Sequence, residues 1–207
     1  MCISYICHVS IDDQIERKIK KAKEGRIFFV QDFAGIGSAG AIHTTLHRMT
    51  NRGLIARVAQ GIYVKPKLST LLNAEVSATA EDVAIAIAKR DKARLLPTGS
   101  YALHALGLST QIPLKLVYYT DGKARTLKVG KRTIQFKKAS PKKLALKGPI
   151  SRLVVQALSE IGNGKVTIDE EQQILQKLKI ENIKNLKHDI ALAPVWIAEI
   201  MTKAMRE

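Results

Sequence analysis

Ile11, Ile15 and Ile19 recur every four residues among charged side chains, which places them on one stripe of a helix over residues 11–24. Asp12, Asp13 and Glu16 favour its N-terminal end, and Gly25 ends it. Ile27, Phe28, Phe29 and Val30 form an apolar run too short for a helix of its own. A compact helix is expected at residues 32–34, a turn at Gly35 and Gly37, and then a helix over residues 39–51 with Ser38 as N-cap. Ile42, Leu46 and Met49 share one face of that helix and must point to a core; Gly53 stops it. Residues 54–58 and 62–64 are β-prone runs on either side of Ala59-Gln60-Gly61, the pattern of a hairpin.

Further along, Val83, Ile85, Ile87 and Ala88, with Glu81 and Asp82 ahead of them, predict a helix reaching about Lys92. Residues 95–99 break it, a short helix spans residues 100–106, and Ile112-Pro113 leads into a strand over residues 114–120. Asp121-Gly122 reads as a hairpin turn. Residues 126–129 and 133–137, joined by Gly130-Lys131-Arg132, alternate apolar and basic positions, so one face of this hairpin is buried and the other carries Lys128 and Lys137. Pro141 opens a helical region containing Leu153, Val154, Ala157, Leu158 and Ile161. Two more helices are expected at residues 169–178 and 189–205, with Pro194 in the first turn of the last or bending it.

This order predicts an α+β protein. Its N-terminal winged helix-turn-helix spans residues 11–67, and a linker of about a dozen residues follows. A mixed α/β domain over residues 78–207 then carries a small antiparallel sheet and C-terminal helices. Residues 1–10 are expected to be disordered. The last helix, with Trp196, could dock on its own domain or form a dimer interface.

Composition narrows the function. The 207 residues include 46% hydrophobic ones, so the chain is foldable and not a basic tail. No apolar run is long enough to span a membrane, and the opening residues lack the charged start and cleavage site of a signal peptide, so a cytoplasmic location is expected. Cys2 and Cys7 make neither a disulfide framework nor a metal motif. The net charge of +16 is concentrated in two blocks: +6 over residues 1–67 and +11 over residues 115–152, where Asp121 is the only acid. Two such blocks point to a polyanionic partner.

In the first block the helix face opposite Ile42, Leu46 and Met49 carries Gly40, Thr44, His47, Arg48 and Asn51, with His43 on the flank. There is no acid between Gly35 and Gln60. Small residues at Ala39, Gly40 and Ala41 allow a phosphate to approach the helix start, Ser38 and Gly40 are counted among the DNA contacts, and Thr44, His47, Arg48 and Asn51 can donate to phosphates or base edges. Arg52, Arg57, Gln60, Lys65 and Lys67 are placed to grip the flanking backbone of double-stranded DNA. His43 and His47 have helical spacing for a metal, but no third ligand lies nearby, so neither a metal nor a cofactor is expected. The second block offers Lys123, Arg125, Lys128, Lys131, Arg132, Lys137, Lys138, Lys142 and Lys143 as a further basic patch. No nucleophile–base–orienter set, phosphate loop or paired carboxylate is recognisable, so no catalytic residue is assigned. His104, in a short apolar helix, reads as packed.

Ser38, Leu46, Arg48 and Gly53-Leu54-Ile55-Ala56-Arg57, then Gly61-Ile62-Tyr63, belong to a wider pattern. It continues with Pro97-Thr98-Gly99-Ser100-Tyr101-Ala102, Leu106-Gly107-Leu108-Ser109-Thr110-Gln111-Ile112-Pro113 and Val117-Tyr118-Tyr119-Thr120-Asp121-Gly122. Together these resemble the AbiEi-type antitoxins of bacterial type IV toxin–antitoxin systems, over roughly residues 12–160. The resemblance implies a winged helix that represses its own operon at operator repeats. It also implies a C-terminal domain that counteracts a nucleotidyltransferase-like toxin without necessarily binding it. A winged-helix regulator without a toxin, or an RNA-binding protein using residues 115–152, are the alternatives. Only Tyr118, Tyr119 and Phe136 are aromatic in that block, few for stacking RNA bases.

Overall fold

The computed structural model describes residues 10–69, 74–76 and 78–205. The expected disorder of residues 1–10 therefore falls, Ser10 apart, outside the described residues, as do both cysteines. Helix α1 (Ile11–Lys21) is capped by Ser10, whose Oγ accepts from the Asp13 N–H, and it buries Ile15 and Ile19. Strand β1 (Ile27–Phe29) leads into a 3-10 turn, Val30–Phe33, tied off by the Phe29 N–H donating to Asp32. Ser38 caps α2 (Ala39–Asn51) by accepting from the Ala41 N–H at 3.3 Å. Gly53, at φ +72°, takes the left-handed conformation that ends the helix at little steric cost. Strands β2 (Ala56–Ala59) and β3 (Ile62–Val64) form the expected hairpin, with a register shift between Arg57 and Ala59. β1 adds to β3, giving an antiparallel sheet of order β1-β3-β2.

Ile42, Leu46 and Met49 face inward as the helical spacing requires, against Ile15, Ile19, Phe28, Phe33, Ile55 and Tyr63. Each such buried side chain contributes about 1.5–3 kcal/mol by leaving water, so this cluster fixes how α2 sits on α1 and the sheet.

The segment expected to be a linker contains a short antiparallel pair, β4 (Lys67–Ser69) and β5 (Ala74–Val76), with Lys67 opposite Val76. Lys67 therefore belongs to a second pair of strands and does not close the first hairpin. The chain divides into two compact units between Val83 and Ala84, inside α3 (Ala80–Asp91) and a few residues beyond the expected boundary.

The second unit contains β6 (Leu95–Pro97), α4 (Gly99–Ala105), β7 (Lys115–Thr120), β8 (Arg125–Val129) and β9 (Arg132–Lys138). A 3-10 turn, Lys143–Ala145, then precedes α5 (Ser151–Ile161), α6 (Ile168–Leu178), α7 (Ile183–Leu192) and α8 (Val195–Lys203). The fold class is α+β as expected, but the sheet of this unit is mixed. Its order is β6-β7-β9-β8; the outer pairs are antiparallel, whereas β7 and β9 run parallel. Asp121-Gly122 is thus not the turn of a paired hairpin. It sends β8 to the sheet edge, and β9 returns between β8 and β7. The reason is long-range: Leu116 and Tyr118 of β7 stand beside Ile134 and Phe136 of β9 on one buried face. Leu95-Leu96-Pro97, expected as a break, is an edge strand, where a proline is tolerated because its missing N–H leaves no gap in a central ladder.

The helix expected over residues 189–205 is two helices. Pro194 cannot donate an i→i−4 hydrogen bond, Ala193 before it is extended at ψ 156°, and α8 starts at Val195. The helices close over Ala102, Leu106, Val154, Leu158, Ile174, Leu178, Leu186, Ile197 and Met201, and Trp196 and Ile200 pack against this cluster. The last helix therefore docks on its own unit. Two buried acids fix the start of α5. Asp189 accepts from the Lys147 and Gly148 N–H groups, from Ser151 Oγ and from His188 Nδ1, while Glu181 accepts from the Ile150 and Ser151 N–H groups. Burial alone would raise the Asp189 carboxyl. The hydrogen bonds from Ser151, His188, Lys147 and Gly148 outweigh it and hold the group below the usual carboxylate range.

Candidate nucleic-acid interface

The amphipathic period of α2 turns His43, Thr44, His47, Arg48 and Asn51 to solvent along with Gly40. A Cβ built on Gly40 would meet nothing within 4 Å, so the N-terminal turn is open to close approach. The β2–β3 hairpin brings a second element beside this face. His43, His47 and Thr50 of α2 and Arg57, Gln60, Gly61 and Tyr63 of the hairpin line one cleft of about 400 Å³. No carboxylate borders it. Its lining side chains include a guanidinium, two imidazoles, a carboxamide and two hydroxyls. Backbone phosphate is the natural ligand for such a set of donors.

The twelve residues expected to touch DNA separate on closer view. His43, His47, Arg57 and Gln60 converge on the cleft. Gly40, Thr44 and Asn51 continue along the exposed side of α2, with Thr44 Oγ1 donating back to the Gly40 carbonyl at 3.0 Å. Arg48 and Arg52 are not free outward arms. Arg48 donates to Asp12 at 2.8 Å, and Arg52 to Glu16 at 3.4 Å. The same Asp12 carboxylate accepts from the buried Thr45 hydroxyl, so α1 supplies a counter-charge row along one flank of α2. Both arginines remain about half exposed, and pairs of this kind are worth little in water, so a phosphate can compete for either.

Two expected ligands do structural work. Ser38 is the α2 cap. Lys65 Nζ donates to the Lys20 and Ala22 carbonyls at 2.9 and 2.8 Å, satisfying the open C-terminal end of α1. Sequence reasoning did not find Thr50, Gly61 or Tyr63, because Tyr63 reads as core and is mostly buried. The alternation of the β2–β3 hairpin was the signal that could have placed them.

In the second unit the hairpin alternation holds. Lys128 stands opposite Thr133, and Lys115, Tyr119, Thr126, Gln135 and Lys137 share that face of the sheet. Ile134 and Phe136 occupy the other face. The basic residues there are not one uniform patch. Arg125 lies 5.4 Å from the Phe136 ring centroid and pairs with Asp91. Burial would raise the Asp91 carboxyl, but hydrogen bonds from Arg90 and Arg125 hold it below the usual range. Lys143 Nζ sits 3.7 Å from the Tyr119 ring centroid. Arg132 is half-buried, while Lys123, Lys128, Lys131, Lys137, Lys138 and Lys142 are exposed. Asp121 is held below the usual carboxylate range by Arg94, which donates from its Nε and its backbone N–H, and so ties β6 to the end of β7. His104 is half-buried, with Nδ1 3.3 Å from the Ser109 carbonyl, as a packed histidine.

Ser151, His188 and Asp189 lie together, but both the hydroxyl and the imidazole meet the carboxylate and not each other. That arrangement orders the residue 147–151 loop; it does not activate a nucleophile. Among the described residues no group of three His, Cys, Asp or Glu side chains could hold a metal ion, and no helix is long and apolar enough to cross a membrane.

A helix with an acid-free outer face, backed by a hairpin whose basic residue shares its cleft, is the feature that any assignment must accommodate. The chain belongs to DUF6088, a family of unknown function, which matches residues 14–186 and so spans both units. No curated protein matches it.

Proposed function

We propose that this protein is a duplex-DNA-binding regulator in which residues 11–67 act as a winged helix-turn-helix. α2 enters the major groove, and the β2–β3 hairpin holds an adjacent backbone phosphate. The observation that carries the reading is the cleft shared by His43, His47, Arg57 and Gln60 with no carboxylate on its border. DNA carries a dense row of negative charge, and a surface without acids there gains affinity by releasing counterions. Thr44, His47 and Asn51 on the exposed helix face supply donors and acceptors for base edges.

The resemblance to AbiEi-type antitoxins gives this regulator a context: an antitoxin that represses its own operon at operator repeats and offsets a nucleotidyltransferase-like toxin through its second unit. The stretch Gly107-Leu108-Ser109-Thr110-Gln111-Ile112-Pro113, between α4 and β7, supports this specific form. The RNA-binding alternative is weakened by Tyr119. It is the one aromatic residue on the Lys128 face of the sheet, and Lys143 covers its ring. Footprinting of the full chain on its own promoter tests the reading. Protection of a repeated site, lost in Arg57→Ala, is the expected result. Equal affinity for promoter duplex and for unrelated duplex or RNA would overturn it.

A further inference from the structure

A second groove, entirely within the C-terminal unit, has a chemistry of its own. It has a volume of about 310 Å³ and lies where the Lys143–Ala145 turn, α5 and the α7–α8 junction meet. Leu146, Val155, Leu192 and Pro194 supply an apolar wall, and Lys142 and Lys143 stand on its lining from the turn. No acid lines it. Ser159 and Ser140 also line it, but both hydroxyls are engaged: Ser159 donates to the Val155 carbonyl, and Ser140 accepts from the Lys143 N–H.

Gln156 is different. It is 5% exposed, it lines the groove, and its carboxamide has no hydrogen-bond partner among the described residues. The described buried side-chain atoms without a partner belong to Arg125, Gln135 and Arg152, so the Gln156 amide meets solvent in the groove, where a ligand can take the place of water. It stands on α5 between Val155 and Ala157.

We infer that this groove binds a small organic anion whose flat or apolar body carries an amide-type edge. The Gln156 carboxamide offers one donor and one acceptor side by side, the complement of another amide or lactam edge. Leu146, Val155 and Leu192 cover the apolar body, and the Lys142 ammonium meets the anionic end, while Lys143, whose ammonium rests on the Tyr119 ring, adds its charge from there. Pockets of this size and mixed lining are the usual form of small-ligand sites. Two kinds of molecule share the chemistry: nucleoside monophosphates with a lactam-bearing base, and N-acylated amino acids. The site does not depend on the DNA-binding reading.

The test is calorimetry with the full-length protein against uridine monophosphate and against N-acetylphenylalanine, with uridine and benzoate as comparisons. One of the two amide-bearing anions binds, at least tenfold tighter than uridine, which lacks the anion, and than benzoate, which lacks the amide. Binding of the nucleotide alone or of the acyl amino acid alone identifies which source of the chemistry the groove takes. Gln156→Leu, of nearly the same volume, removes the preference over benzoate and leaves the protein folded by circular dichroism. The double variant Lys142→Ala, Lys143→Ala weakens the anion at least tenfold and leaves uridine unchanged, which keeps the test valid should Gln156→Leu fail to fold. The proposal is overturned if neither anion binds, or if both sets of variants bind as tightly as the parent protein.

Discussion

The two units hold their positive charge in opposite ways. In the N-terminal unit, α1 collects the acids, and Asp12 and Glu16 reach across to Arg48 and Arg52 on one flank of α2. The other flank, toward the hairpin, has no acid at all, so a modest excess of charge is sorted into one acid-free surface. The C-terminal unit concentrates a larger excess, +11 over residues 115–152, beside a single acid, Asp121. Asp91, Asp121 and Asp189 each hold the ends of two elements together. Its lysines are left spread over the sheet and the following turn. Sorting of charge, and not its amount, distinguishes an acid-free cleft from a surface that is merely basic.

The largest effect should come from Asp189→Ala. It strands the Lys147 and Gly148 N–H groups and the Ser151 hydroxyl in a buried site, at a cost of about 3 kcal/mol or more. Urea unfolding followed by Trp196, the single tryptophan, should show this loss, while promoter affinity at low denaturant stays unchanged. Equal loss of DNA binding would mean that the two units do not act separately. The same carboxylates set an acid limit. Asp91, Asp121 and Asp189 all have folded pKa values below their unfolded ones, so the stability they give is full above an unfolded pKa of about 3.9 and disappears as pH falls through the folded values. An acid titration read by Trp196 fluorescence should therefore lose the second unit below about pH 4, and Asp189→Asn should unfold at a higher pH than the parent.

Arg57→Ala should weaken operator binding by about 1–3 kcal/mol, measured by gel shift at fixed salt. Reversing charge at Lys128 and Lys137 separates the units further. If the sheet face touches phosphate, the slope of log affinity against log salt falls by about 1–2; if it does not, the slope holds and only antitoxic activity changes. The smallest effect is expected for Arg48→Ala, about 1 kcal/mol or less, because part of its charge is already matched by Asp12. Asp12→Asn should raise non-specific DNA affinity in the same assay. An Arg48 effect larger than that of Arg57 would place the interface on the α1 flank instead of the hairpin flank.

Some of this architecture was legible in the residues alone. Ile42, Leu46 and Met49 declare the inward face of α2, Ser38 and Gly53 its limits, and Ala59-Gln60-Gly61 the hairpin, because each signal is complete within a few positions of the chain. The exposed polar face followed by subtraction. What escaped depended on residues far apart. Asp12 claims Arg48 from 36 positions away, and Asp189 reaches back 41 positions to Gly148. A helical wheel draws an arginine as outward whether or not a carboxylate from another helix waits beside it.

The same division runs through the sheet and the groove. Strand periods, helix lengths and the alternation that separates Lys128 and Lys137 from Ile134 and Phe136 came from sequence, since backbone geometry repeats every two or 3.6 residues whatever surrounds it. Which strand lies beside which was decided by packing. β7 and β9 are parallel because their apolar faces share one core, and a local turn at Asp121-Gly122 carries no information about that. The positions of His43, His47 and Arg57 around one cleft, and of Gln156 unpaired beside two lysines, likewise exist only once separate elements are brought together. Sequence sets the chemistry available on each element, and tertiary contact determines which groups remain open to a partner.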